Sequence, residues 1–357
     1  MYKSSYVIIP NWNGIDFIDA CLSALQQQTQ PHTVIVVDNG STDGSNDVVR
    51  KKFPSVQLIE FPDNAGFAGG VNRGIQPAID QGAEYIALLN NDAVADGYWL
   101  ERLLDTMEAN PRAGAVTAKI LTADGKRLDS TGDFYSVWGM PFPRGRGEQD
   151  RGQYDNQVTR NIFAASGGAS LYRVSMFQEI GLFDEDFFAY YEDIDIAFRA
   201  QLRGWEILYE PAAKVRHYIG GTSSRITDDT KLLPKATELN VETLNRPSAF
   251  ARYHSVKNFS YLYTKNMPGW LYWKYLPRFM TSWLLMITSD VRRGLFITNL
   301  KANITALIHL PGMLRKRTAI QASRNTAISH IDAILYPVFP PLQRQRFERL
   351  GFVRPRK

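Results

Sequence analysis

Leu88-Leu89-Asn90-Asn91-Asp92 closes an apolar run that begins at Tyr85. Tyr85–Leu89 has the length and content of a buried strand, and it ends abruptly in two carboxamides and a carboxylate. Such groups make poor core residues. At the carboxyl end of a parallel strand they are good ligands for a hard cation, and for the sugar and phosphates that a cation holds.

Outward from this segment, strand and helix signals alternate. Tyr6–Ile9, Thr33–Val37 and Val56–Phe61 read as strands. Ile15–Gln28, a stretch beginning near Asp43, and Phe67–Ile79 read as helices. Short strands separated by helices predict parallel pairing with right-handed crossovers, and such a sheet binds ligands beyond the carboxyl ends of its strands. Pro10–Asn13, Asp38–Thr42, Asn64–Gly66 and Asn90–Asp92 all fall at those ends. Thr122–Arg160, rich in Gly, Asp and Arg, is expected to be a long loop with short strands that flaps near a second substrate. Regular structure is expected again through Ala165–Arg173, in a helix at Glu192–Arg203 and in a strand at Trp205–Tyr209.

Each polar cluster carries its own chemistry. Asp38, after the Val/Ile strand, suits a nucleobase or ribose hydroxyl, because the turn itself does not require it; Asp43 reads as the cap of the next helix. Asn64 to Gly74 is a Gly-rich helix entry, which admits either a ligand or close helix–sheet packing. The chain has neither the GxGxxG nor the GxxxxGK[ST] spacing. Asp92 is a candidate ligand for Mg²⁺ or Mn²⁺, a cation able to neutralise a departing diphosphate. Glu192, Asp193 and Asp195 crowd a helix start, where one or two acids satisfy the helix dipole and Asp195 is spaced to pair with Arg199. Three acids beside Tyr190-Tyr191 exceed that need, and one of them is able to take a proton from a hydroxyl. Pro10–Gly14 contains no Lys or Arg, which argues against a nucleotidyltransferase.

Together these residues resemble the inverting glycosyltransferases of family two, with the GT-A fold. Val7–Gly14 looks like that family's first strand and Val36–Asp43 like its nucleotide-binding turn. Asn64–Ile75 and Leu89–Asp92 look like the branch that contains bacterial rhamnosyltransferases. The resemblance runs from about Tyr6 to Thr222; beyond it, Arg252-Tyr253-His254 and Lys257-Asn258 are similar to a downstream segment of related enzymes. It implies an α/β GT-A domain over 1–225: a Rossmann-like nucleotide-sugar half (1–120) with helices on both faces of the sheet, and an acceptor or catalytic half (121–225). A linker (226–250) and a helical, amphipathic extension (251–357) follow.

The resemblance also implies roles. Pro10, Asn11, Asn13 and Asp38, with Asn64, Gly66, Asn72, Asn90 and Asn91, are expected to hold the nucleotide-sugar. Asn91 and Asp92 stand at the family's Asp-x-Asp metal motif, and Asn90 is an amide where many members carry an acid. His217 is expected to complete the metal site with Asp92, and Asp193 to act as catalytic base, with Glu192 beside it. The implied activity is sugar transfer, with L-rhamnose from dTDP-rhamnose foremost, to a hydroxyl of a glycan or polyprenyl-linked glycan in bacterial cell-surface polysaccharide synthesis. Another UDP- or GDP-sugar, or an inactive nucleotide-sugar or glycan-binding module, are the alternatives.

The net charge of +5 hides an asymmetry: Arg278 to Lys357 holds 14 Lys/Arg against 3 Asp/Glu, a balance of +11 that leaves −6 for the remainder. Large aliphatics and Trp between the cations disfavour nucleic acid and suit a helix lying in lipid headgroups through 263–317; a helical subdomain with its own core is the alternative. No uncharged run reaches the roughly 18 residues of a spanning helix. Met1-Tyr2-Lys3 leads directly into a strand, so the start reads without a signal peptide. The single cysteine, Cys21, reads as a small core residue, in keeping with a reducing compartment. The expected location is cytoplasmic and peripheral, on the inner face of the plasma membrane.

Overall fold

The computed structural model describes residues 4–156, 158–160, 162–218, 248–341, 343–344 and 348. The expected linker 226–250 therefore lies outside the described residues except for its last three positions. In the first half, β1 (Ser5–Asn11), α1 (Ile18–Gln26), β2 (Thr33–Asn39), α2 (Ser45–Lys52), β3 (Gln57–Phe61), α3 (Gly66–Asp80) and β4 (Tyr85–Leu89) alternate as the pattern requires. They are followed by β5 (Ala93–Ala95), α4 (Trp99–Ala109) and β6 (Ala113–Thr122). The sheet has nine strands in the order β3-β2-β1-β4-β10-β6-β11-β5, with β7 (Leu128–Ser130) on β6; β10 is Ala169–Arg173 and β11 is Glu206–His217.

β1 to β4 are parallel, and β10 runs antiparallel between β4 and β6. Alternate side chains serve the two faces of the sheet. Val7, Ile9, Tyr85, Ala87 and Leu89 join the core beneath α1 and α4, whereas Tyr6, Ile8, Ile86 and Leu88 join the core beneath α3. A strand buried on both faces reads as an unbroken apolar run, which is why Tyr85–Leu89 was legible to the residue.

Two boundaries differ from the expectation. β11 runs to His217 instead of stopping at Tyr209, because a register shift between Glu210 and Lys214 absorbs Pro211 and resumes pairing with β6. The Thr122–Arg160 stretch is built: β8 (Asp133–Tyr135) and β9 (Pro141–Pro143) form a ribbon. The buried Lys119 ties this stretch down through Asp150 (2.8 Å) and Asp155 (2.7 Å).

After α5 (Val174–Ile180), a 3-10 turn (Glu185–Phe187) and α6 (Glu192–Arg203), the C-terminal region contributes α7 (Ala249–Asn266), α8 (Gly269–Arg292), α9 (Phe296–Ile308), α10 (Leu310–Ala322) and α11 (Ile328–Ile334). Ser248 caps α7, its Oγ accepting from the Ala251 N–H at 3.1 Å. Tyr135, Phe163, Phe187 and Phe198 share one aromatic core with Phe259, Tyr263, Tyr275 and Phe279. Tyr336 returns to the ribbon, where it stacks on Phe134 and bonds the backbone of Tyr135 and Val137. The extension thus has a core, but a core continuous with that of the preceding half. Among the described residues, no helix is long and apolar enough to cross a membrane.

Candidate active site

Parallel pairing sets Asn11 level with Asp38 at the ends of β1 and β2. The buried Asn11 amide donates to Asp38 Oδ1 (3.1 Å), Ser45 Oγ (2.9 Å) and Ser41 Oγ (3.3 Å), and its Oδ1 accepts from Asn91 Nδ2 at 2.8 Å. Three strand ends are thereby locked into one polar network whose buried groups satisfy each other. Gly14 makes room for it: a Cβ there would run into the side chains of Asn11 and Asn91. Asn13, in the left-handed region at φ 51°, accepts from the Thr42 N–H at 2.9 Å and zips the Pro10–Asn13 and Asp38–Thr42 turns together.

Two expectations are corrected here. The turn does use Asp38, since its Oδ2 accepts from the Ser41 N–H at 3.0 Å. Asp43 does not occupy the cap of α2; Gly44 does, and Asp43 bridges the Ile15 and Ser45 N–H groups.

The Gly-rich entry to α3 divides similarly. Asn64 accepts from the Gly66 N–H (2.8 Å), and Gly66, at φ +74°, gives its carbonyl to Asn39 Nδ2 (2.9 Å). A Cβ at Gly66 would collide with the Phe188 carbonyl, so this glycine serves close backbone approach. Asn72 is engaged at both ends: its amide donates to Phe183 O (2.8 Å) and Glu185 Oε1 (3.0 Å), and its Oδ1 accepts from the Phe183 N–H (3.1 Å). It fastens the segment ahead of the acidic cluster.

Asp92 and His217 meet because β11 pairs with β5, placing His217 opposite Ala93. His217 Nε2 is 3.1 Å from Asp92 Oδ1 and 3.4 Å from Asn90 Nδ2. The other ring nitrogen, Nδ1, is 2.8 Å from Asp129 Oδ2. Asp129 is itself paired with Arg146 at 2.9 Å. Burial alone would raise the Asp129 carboxyl, but Arg146 and His217 hold it down at about 2. An ionised carboxylate only accepts, so His217 Nδ1 carries a proton. Burial likewise lowers the His217 imidazole, but Asp92 and Asp129 outweigh it and raise it to about 10.

Without a cation Nε2 is protonated and pairs with Asp92; once that proton is given up, the converging carboxylate oxygen and imidazole nitrogen, with Asp129 orienting the ring, form a donor set suited to a divalent cation. Among the described residues no group of three or more His, Cys, Asp or Glu is placed to hold a metal ion by itself. The pair fits an ion that takes its remaining ligands from diphosphate and water, as Mg²⁺ commonly does. Asp129 and Arg146 were not anticipated; they come from the irregular flap, where only acid and base content signalled them.

Asp193, the second residue of α6, is tied to the same place by two adjacent glycines. Its Oδ2 accepts from the Gly167 N–H at 3.4 Å, while the Gly168 carbonyl accepts from the Asn90 N–H at 3.0 Å. Burial pushes the Asp193 carboxyl up, against the N–H groups of Ile194 and Gly167. Asp133, also unanticipated, is pushed up to about 7 by burial and by Asp193. Glu192 is buried, its Oε2 lacks a hydrogen-bond partner, and burial and then Asp193 raise its carboxyl well above the usual range. Asp195 pairs with Arg199 at 2.9 Å, as its spacing suggested, and also binds Asn266 and Lys265.

Phe188, Tyr190 and Tyr191 hold positive φ (64°, 70° and 73°) in the turn that delivers Glu192-Asp193. Such non-glycine conformers cost on the order of 1–3 kcal/mol each and persist only where the surroundings over-determine them.

Parallel strands that end in one polar network, a carboxylate–imidazole pair and an acid at a helix start form the arrangement of a glycosyltransferase of the GT-A type. The chain belongs to Glycosyl transferase family 2, whose sequence profile matches residues 6–181. It is 30% identical over 229 residues to the N-acetylglucosaminyl-diphospho-decaprenol L-rhamnosyltransferase of Mycobacterium tuberculosis, covering 58% of this chain and 74% of that protein. In fold it is similar to S. aureus TarS in complex with UDP-GlcNAc (TM-score 0.52, 14% identity, 99% of this chain and 93% of that one). It is also similar to the Pyrobaculum calidifontis mannosyltransferase with GDP-Man and Mn²⁺ (TM-score 0.51, 16% identity, 93% and 87%).

Proposed function

We propose that this glycosyltransferase moves L-rhamnose from dTDP-rhamnose, with inversion, onto a hydroxyl of a polyprenyl-diphosphate-linked glycan. The observation that carries the reading is the junction of Asp193 with the Asp92–His217 pair through Gly167-Gly168. Asp193 takes the proton of the acceptor hydroxyl as that oxygen attacks the anomeric carbon; the bond to the nucleoside diphosphate breaks on the opposite face. A carboxyl raised by burial is the better base for this step. Asp92 and His217 would hold Mg²⁺ or Mn²⁺, which when bound supplies positive charge to the departing diphosphate. The Asn11–Asp38–Asn91 network locks together the strand ends that would meet the donor. The choice of sugar rests on the mycobacterial relative and gives way to a UDP- or GDP-sugar if the donor screen says so.

The acceptor class draws support from the surface of the extension. Trp273, Met280, Leu284 and Val291 are exposed on α8 at spacings that keep them on one face, as are Ile297, Leu300, Ile304 and Ile308 on α9. Arg278, Arg292 and Lys301 are exposed with them, and between Ser248 and Ile331 the only acidic residue, Asp290, is fully buried. Apolar stripes flanked by cations without an exposed anion fit an anionic bilayer surface, here the inner leaflet that presents the acceptor.

A donor screen with purified protein and N-acetylglucosaminyl-diphospho-decaprenol, read by nucleoside diphosphate release, tests the reading. Asp193→Asn is expected to bind donor normally and to lose about a hundredfold or more in turnover. Near-normal turnover would remove Asp193 as base, and silence of the wild-type protein toward every donor would favour a binding module.

A further inference from the structure

The turn from Asp186 to Tyr191 is gripped from two sides. From α3, the Ala68 N–H donates to the Phe188 carbonyl at 3.1 Å. From α7, Lys257 Nζ reaches the Asp186 carbonyl at 2.6 Å. Next to it the Asn258 amide sits within bonding distance of three carbonyls: Phe187 (2.8 Å), Ala189 (2.8 Å) and Tyr190 (2.7 Å). Asn258 is fully buried, and His254, one helical turn earlier, stacks on Phe188 at 4.9 Å. Five consecutive carbonyls of a turn holding three left-handed non-glycine residues thus lie within bonding distance of donors, four of them on one helix of the extension, where the two N–H groups of Asn258 are shared among three carbonyls. The carbonyl that follows, on Tyr191, accepts from the Asp195 N–H and opens α6, which carries Asp193.

Backbone in sparsely populated conformations relaxes when its restraints are removed, and the first residues to move here are those leading into Asp193. We propose that Asn258, assisted by Lys257, is a positioning residue for Asp193: the extension holds the turn that aims the base, and is required for turnover apart from any role in attachment. This rests on the assignment of Asp193 as base.

The test compares full-length wild type with Asn258→Ala, Lys257→Met, Asp193→Asn and the control Trp283→Phe. The control removes a bond within the extension (Trp283 Nε1 to Asn303 Oδ1, 2.7 Å) that does not touch the turn. Turnover is measured with dTDP-rhamnose and N-acetylglucosaminyl-diphospho-decaprenol, and binding with dTDP and Mn²⁺ by calorimetry. For Asn258→Ala, kcat is expected to fall roughly a hundredfold, the scale of a misplaced catalytic group. Its donor KM and dTDP affinity should stay within about twofold and its acid limb in the pH profile of kcat/KM should move. Lys257→Met should fall in the same direction by less, and it carries the test if Asn258→Ala does not fold. The proposal is overturned if kcat is unchanged. It is equally overturned if Asn258→Ala loses kcat and dTDP affinity together, to the extent that Trp283→Phe does, with a wild-type pH profile. Retained turnover in Asp193→Asn would instead overturn the base assignment; an inert Asp193→Asn beside a fully active Asn258→Ala overturns only the positioning role.

Discussion

Asp129 fixes which nitrogen of His217 turns toward Asp92, because its ionised carboxylate accepts from Nδ1 at 2.8 Å. Outer-sphere carboxylates of this kind typically contribute about 10–100-fold to metal affinity. Asp129→Asn, which preserves shape and removes the charge, is expected to weaken Mn²⁺ binding by about that factor in a direct titration; an unchanged titration would reduce Asp129 to a partner of Arg146. This residue shows where sequence reading stops at the scale of single side chains. Asp92 was visible because a carboxylate after a buried strand has no core role. Asp129 sits in a stretch without periodicity, and nothing local says that β7 will bring it to β11. Asn72 shows the converse case. An amide on a Gly-rich helix reads the same whether it meets a ligand or a distant backbone, and only the fold reveals that Phe183 takes both its ends.

Among the elements, strands and helices of the first half were legible because each is short, apolar and bounded by polar turns. The helical extension was expected too, but the packing of α7 was not legible, since its decisive contacts lie some seventy residues back, at the 3-10 turn and the strained turn after it. One of its residues gives this packing a pH signature. Burial, and then Lys257, lower the His254 imidazole to about 4 from its usual 6.5. Between those values the unfolded chain holds the proton and the folded one does not, so this contribution is complete above pH 6.5 and is lost as pH falls toward 4. His254→Phe, which keeps a ring on Phe188, should flatten stability against pH over that interval. Urea unfolding of both proteins at pH 7 and pH 5 measures it, and parallel losses would mean that His254 titrates normally.

Taken whole, the molecule divides its charge as the sequence foreshadowed, but it does not divide its core. The helix that carries Asp193 and the basic extension share one aromatic cluster, so a truncation that removes the extension also strips the support of the turn ahead of Asp193. Attachment is better probed on the intact surface. Trp273→Ser with Leu284→Ser on α8, and Ile297→Ser with Ile304→Ser on α9, remove exposed apolar area alone. Each pair is expected to reduce flotation with phosphatidylglycerol-containing vesicles, and raised salt to weaken the wild-type association. Flotation unaffected by all four substitutions would assign this face to another partner.

The chain's sole cysteine, Cys21, lies fully buried beneath β1 and β4, and burial and then Asp92 push its thiol far above the usual range. A maleimide dye at neutral pH finds no native target there. A new cysteine at position 284 or 304 would accept a single fluorophore in an otherwise unaltered protein. Quenchers fixed at graded depths in the acyl chains would then read directly how far each helix sinks.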